Sequence, residues 1–172
     1  MMATVTSLAG DRDVAAGVEA VFRAEYRSLL RLARLLVDDV GSAEEVVQDA
    51  FVALHRGWDR ARDPVAFVRT CVVNGARGRL RRRATARRHP FAGAVQDASP
   101  EVDPVVLDED RRAVATALRA LPDRQRECLA LRYYADLSEA EIAGTLGISA
   151  GSVKTHIHRG TAALARRLED LR

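Results

Sequence analysis

Aromatic side chains are scarce here: one tryptophan, three tyrosines and four phenylalanines make up 5% of 172 residues. The long segments are instead Ala, Leu, Val, Arg and Glu, of which all but Val favour helix over sheet, so an all-α fold is expected. Lysine is scarcer still, with Lys154 alone among 27 basic residues. Almost all positive charge is therefore guanidinium. There are two cysteines, Cys71 and Cys128, far apart and each inside a helical apolar pattern. With no Cys/His cluster at metal-ligand spacing, they are read as buried free thiols, and no metal or cofactor is expected. No apolar run approaches the roughly 20 residues that span a bilayer, and the N-terminus lacks a charged-then-apolar signal pattern. A cytoplasmic protein without membrane insertion is expected. The four histidines have no nucleophile and carboxylate arranged around them as a triad, so nothing points to an enzyme.

Charge is present but unevenly placed. The net value is only +3, yet Arg77 to Arg88 holds seven arginines and no acid, and Asp97 to Asp110 holds six acids and no base. Seven unopposed arginines on one helix repel one another, which makes a polyanion the expected partner; the plainer reading is a solubilising face.

The chain is organised around Leu137 to Leu168. Ser138 stands three residues before Glu141, the spacing of a capping box. Ile142, Ala143 and Leu146 follow on one face, and Gly147 can take the left-handed conformation that ends a helix. Ile148 plugs the corner. Ser149 then caps a second helix with Val153, Ile157, Thr161, Leu164 and Leu168 facing inward. Its outer face carries Ser149, Ser152, Lys154, Thr155, His158 and Arg159, with no carboxylate before Glu169. Two helices around a glycine turn can be mere surface structure. An acid-free polar face of hydroxyls and cations, however, suits a groove lined by phosphates, and the pattern predicts a DNA-reading helix-turn-helix.

Four segments follow in order. Residues 1–17 are small and polar and are expected to form a mobile tail. Residues 18–89 carry a stripe of Val18, Val21, Phe22, Leu29, Leu32, Ala33 and Leu36, then a helix opened by a Ser42/Glu45 capping box with Val46, Val47, Ala50, Phe51 and Leu54 inside. The outer side of that helix shows Glu44, Glu45, Gln48 and Asp49. A loop with Trp58, Arg60 and Arg62 leads to Asp63-Pro64, a cap and a first-turn proline. The third helix runs through Phe67, Val68, Cys71, Val72, Gly75 and Ala76 into the arginines. Residues 90–107 have no periodicity and are broken by prolines, an acidic flexible linker. Residues 108–172 resume with Val114, Ala117, Leu118 and Leu121, restart after Pro122 and end in the reader. The expectation is two small helical domains joined by a tether.

In this order the parts resemble a bacterial RNA polymerase sigma factor of the extracytoplasmic-function group, in the compact form frequent in actinobacteria. The resemblance covers roughly Phe22 to Leu168. Ala43-Glu44-Glu45-Val46-Val47-Gln48-Asp49-Ala50-Phe51 is similar to the A-E-D-L-V-Q-E-x-F signature of that group. Val73-Asn74 ahead of the arginines resembles the region that recognises and melts the −10 element. Leu121-Pro122-x-x-Gln125-Arg126 with Leu131-Arg132-Tyr133 resembles the entry to region 4, and Leu137 to Arg159 the −35 reader.

The resemblance implies that Glu44, Glu45, Gln48 and Asp49 dock on the coiled coil of the polymerase's largest subunit, with the flap region a second contact. It implies −10 contacts from Trp58, Arg60, Arg62, Asn74, Arg77, Arg79, Arg81 and Arg82. Core RNA polymerase and promoter DNA are the implied partners, and an anti-sigma factor is a further one that the resemblance allows. The chain would sit at the nucleoid when in holoenzyme. The rival from another class is a helix-turn-helix regulator that acts without polymerase, which leaves the acidic face and the arginine helix without a use.

Overall fold

The computed structural model describes residues 3–37, 39–88 and 109–170, and among these every regular element is helical. α1 spans Ala3–Leu36. The tail expected over residues 1–17 is therefore helical from Ala3. No proline interrupts the segment, and extending an existing helix fixes only one residue per hydrogen bond, so weakly patterned turns can continue a well-packed one. At Gly17 an added Cβ would fall 2.2 Å from Cζ2 of Trp58. Glycine is what lets the indole lie against α1.

α2 spans Val40–Arg56 and is capped by Asp39, whose Oδ1 accepts the Ser42 N–H at 2.7 Å. The Ser42/Glu45 capping box is thus replaced by an Asp39/Ser42 cap in a frame three residues earlier. Both frames satisfy a helix start locally, but only the earlier one also brings Asp39 to Arg83, with Nη2 to Oδ2 at 2.8 Å. Burial alone would raise the Asp39 carboxyl. The Ser42 hydrogen bonds and the Arg83 and Arg79 guanidiniums outweigh it and hold the group below its ordinary range.

A carboxylate with a depressed folded-state pKa stabilises the fold above its unfolded value, about 3.9, and that stability is lost as pH falls through the folded value. Asp39→Asn keeps a competent cap and removes the charge. It is expected to cost about 1 to 2 kcal/mol at pH 7, a drop of a few degrees in melting temperature. The gap between variant and wild type should close as thermal melts are taken below about pH 4; a gap unchanged at pH 3 would remove the ion pair from the account.

After a single 3₁₀ turn at Trp58–Arg60, α3 spans Pro64–Arg88, with Asp63 Oδ1 accepting the Ala66 N–H at 3.0 Å as its sequence predicts. The linker expected over residues 90–107 lies outside the described residues. α4 (Glu109–Arg119) and α5 (Asp123–Leu129) follow, and α5 passes directly into a π turn, Ala130–Tyr134. The Ala135 N–H closes that turn on the Ala130 carbonyl at 3.2 Å. The extra residue rotates the chain, leaving Leu131 buried and Tyr133 69% exposed. α6 (Glu139–Leu146) and α7 (Ala150–Glu169) complete the fold. No helix among the described residues is long and apolar enough to cross a membrane.

The two helical units are present as expected, α1 to α3 and α4 to α7. Their cores are continuous. Leu32, Leu36, Val47, Leu54, Val68, Val72 and Val73 from the first unit join Cys128, Leu131, Leu137, Ile142 and Val153 from the second in one buried cluster. Leu35 of α1 packs into the smaller cluster of Leu118, Leu121 and Leu129. Polar ties reinforce the seam: Arg119 Nη2 donates to the Arg34 carbonyl at 3.3 Å, and the Arg31 guanidinium lies 5.9 Å above the Tyr134 ring.

Candidate nucleic-acid interface

The reader is built almost as its spacing dictates. Ser138 Oγ accepts the Glu141 N–H at 3.3 Å, and Glu141 Oε2 accepts from the Ser138 N–H at 2.8 Å, a reciprocal capping box. The Ser138 hydroxyl and then its backbone N–H hold the Glu141 carboxyl below its usual range. Gly147 ends α6 at φ 64°, and the Ile148 N–H returns to the Ala143 carbonyl at 3.1 Å. Ser149 Oγ then accepts the Ser152 N–H at 3.1 Å and opens α7. The Thr155 hydroxyl donates to the Gly151 carbonyl at 2.9 Å, which leaves its lone pairs outward as acceptors. Ser149, Ser152, Lys154, Thr155, His158 and Arg159 are all exposed on this helix.

One residue of the inward stripe differs. Thr161 is exposed and Gly160 is buried in its place. A Cβ on Gly160 would stand 3.1 Å from Leu129 Cδ1 and 3.2 Å from Gln125 Cβ, so α7 crosses α5 backbone to side chain at this point. A glycine inside a helical pattern marks such close approaches, and that signal was there to be read.

The arginine helix divides its charges. Arg79 Nη2 is paired with Glu45 Oε2, Arg83 with Asp39, and Arg77 with Glu127 through Nε to Oε1 at 2.6 Å and Nη2 to Oε2 at 2.8 Å. Their side chains are only 25%, 22% and 16% exposed, so these three are structural partners of acids on α2 and α5. No acid stands within the run; the neutralising carboxylates lie on or beside other helices. Arg81 and Arg82 are exposed on the same helix, as is Asn74, whose Oδ1 accepts from Arg77 Nη1 at 3.3 Å. Asn74, Arg77 and Arg81 thus lie along one side of α3, with Arg77 turned toward α5.

Arg60 and Arg62 are exposed in the loop before α3, while Trp58 is half-buried against Gly17 and the main core. The free indole that base capture would use is absent in this arrangement. On α2, Glu45, Gln48 and Asp49 are exposed, Glu45 with its carboxylate paired to Arg79 of α3, and Glu44 is half-buried. Val52, one turn beyond Gln48, is 48% exposed. The inward stripe of α2 omits it, and an apolar residue displaced from that stripe onto an acidic face was the overlooked signal.

Comparison with known proteins agrees with this geometry. Residues 21–86 match Sigma-70 region 2, and residues 111–164 match Sigma-70, region 4. The chain is 36% identical to the ECF RNA polymerase sigma factor SigM of Mycobacterium tuberculosis, over 94% of this chain and 80% of that protein. It is 33% identical to the RNA polymerase sigma-E factor of Streptomyces avermitilis, over 88% and 84% of the two chains. Among solved structures, the sigma factor RpoE in complex with the anti-sigma factor NepR from Bartonella quintana aligns with TM-score 0.72 at 21% identity, over 88% of this chain and 96% of that one. CnrH in complex with the cytosolic domain of CnrY aligns with TM-score 0.66 at 24% identity, over 93% and 95%. This chain belongs to the extracytoplasmic-function group of RNA polymerase sigma factors.

Proposed function

We propose that this sigma factor directs promoter-specific initiation through three separate faces. Gln48, Asp49, Glu44 and the exposed Val52 dock α2 on the coiled coil of the polymerase's largest subunit. Glu45, exposed on the same face, is held in place by Arg79. The outer face of α7 reads the −35 duplex: Lys154, Thr155, His158 and Arg159 reach base edges, and Ser149 and Ser152 at the helix N-terminus approach phosphates. Asn74 offers both a donor and an acceptor to an extruded base of the −10 strand, while Arg81 and Arg82 follow its backbone. Arg60 and Arg62 extend the same basic track. The C-terminal unit meets the flap region, the chain works in the cytoplasm and at the nucleoid when in holoenzyme, and an anti-sigma factor is its regulatory partner.

The observation that carries this reading is the exposed acidic and apolar face of α2 in a chain that also has a DNA-reading helix. A regulator binding operators alone has no use for it. Run-off transcription tests the assignment: the purified chain should make core polymerase start at discrete sites on genomic fragments, and core enzyme alone should not. In the same assay Lys154→Ala should weaken promoter use by about 1 to 3 kcal/mol if the ammonium reads a base. A uniform loss across promoter sequences would assign it to phosphate, and no loss would remove it from the site.

A further inference from the structure

α7 rests on the rest of the protein at two buried points that bracket its reading residues. Val153 is sealed in the main core, and two helical turns on Gly160 is buried where the helix crosses α5. Lys154, Thr155, His158 and Arg159 all lie between these supports. At the second support the bare backbone is the contact surface: a Cβ on Gly160 would stand 3.1 Å from Leu129 Cδ1 and 3.2 Å from both Leu129 Cγ and Gln125 Cβ. Carbon atoms settle at about 3.5 to 4.0 Å from one another, so a methyl there makes one side yield. α5 is the side that is held. Leu129 is 3% exposed and packs with Leu118 and Leu121, with Leu164 of α7 and with Leu35 of α1 around the same cluster. Arg126 ties α5 to the end of α4, its Nη1 donating to the Arg119 carbonyl at 3.3 Å and its Nη2 to Asp123 Oδ1 at 3.0 Å. The opposite side of α7 is exposed at Thr155, Arg159 and Ala162, so α7 is what moves.

We propose that Gly160 is a positioning residue of the −35 reader: its bare α-carbon lets α7 sink onto α5 and so sets the depth at which His158 and Arg159 enter the groove. A methyl at this point lifts the Gly160 end of the helix while Val153 holds the other. Arg159 then moves most and Lys154 least. A hydrogen bond to a base edge tolerates little such movement, because it weakens steeply as its angle closes. The inference rests on the reading of α7 as the −35 helix.

The test uses holoenzyme assembled from core polymerase and the full chain, transcribing a start-mapped promoter in which each −35 base is replaced in turn. Lys154→Ala, His158→Ala and Arg159→Ala first identify the base positions that depend on each side chain. Gly160→Ala should then flatten selectivity by about threefold at the His158 and Arg159 positions, part of what one bidentate contact supplies, and by less than about 1.5-fold at the Lys154 positions. Leu129→Val removes the δ carbon nearest to the new methyl, so the Gly160→Ala/Leu129→Val chain should recover the wild-type profile. Gly144→Ala is the control for helix propensity: it lies on the exposed side of α6 with nothing within 4 Å of an added Cβ, and should leave the profile unchanged. A wild-type profile from a folded Gly160→Ala chain would overturn the proposal. So would an equal loss at every −35 position that only follows a fall in melting temperature, or a chain that fails to fold both with and without Leu129→Val, since each makes the crossing a matter of stability alone. Indifference of the wild-type holoenzyme to every −35 replacement would strike down the reading of α7 itself, and the inference with it.

Discussion

Core polymerase applied to the immobilised Gln48→Ala/Asp49→Arg chain is expected to flow through, whereas the wild-type chain retains it. Both side chains are exposed on α2. Their replacement should leave the fold within about 0.5 kcal/mol of wild type, as for surface substitutions away from caps and pairs. Asp49→Arg places like charge against any basic partner, and truncating Gln48 removes the neighbouring hydrogen bonds. Together the two changes should cost 4 kcal/mol or more of binding, roughly a thousandfold in affinity. Run-off transcription should disappear, while binding of a labelled −35 duplex by the free chain should be unaffected because α7 is untouched. Retention of polymerase at wild-type affinity would show that α2 docks through another face. Val52→Asp then distinguishes a purely polar contact from one with an apolar centre: only the second loses affinity with Gln48 and Asp49 intact.

The parts of this fold that the sequence announced are those decided within one or two helical turns. The Ser138/Glu141 box, the left-handed Gly147, the Ser149 cap and the Asp63-Pro64 start each depend on groups three or four residues apart, and each forms as spaced. The misread parts depend on partners distant in sequence. Ser42 looked like a cap because Arg83, which favours the Asp39 frame, lies more than forty residues away. The arginines of α3 looked unopposed because Glu45, Asp39 and Glu127 sit on other helices. Gly160 and Gly17 are the points where another helix or an indole comes close, and in each case the partner lies far off in sequence. Trp58 illustrates the same limit at the site itself, since nothing adjacent to it in sequence reveals that α1 extends far enough to cover it. The closure of one unit on the other is a tertiary choice between two amphipathic surfaces, and local periodicity carries no information about it.

Duplex reading and strand opening should separate cleanly at Asn74. Its carboxamide is exposed, and its one hydrogen bond among the described residues is the long one from Arg77. Asn74→Ala therefore removes the base-edge hydrogen bonds proposed for this carboxamide without disturbing the core. Holoenzyme carrying it should still bind promoter DNA, because the α7 face and the cations Arg81 and Arg82 remain. Opening should fall by about 5- to 150-fold, the effect of losing about 1 to 3 kcal/mol of base recognition. Permanganate footprinting reads this directly: thymines of the −10 segment should lose reactivity, and wild-type reactivity would sink the assignment. A premelted template should restore transcription, since the step that needs Asn74 has already been made. Arg81→Ala should behave differently, weakening binding to every template and flattening the salt dependence by about one unit of slope for one lost phosphate contact. Arg79→Ala is the internal control. Its guanidinium belongs to Glu45 in the α2/α3 seam, so its loss should lower the melting temperature and leave the salt slope where it was. A slope that flattened for Arg79→Ala as much as for Arg81→Ala would mean that the seam opens on DNA and that all the arginines of α3 are shared between acid and phosphate.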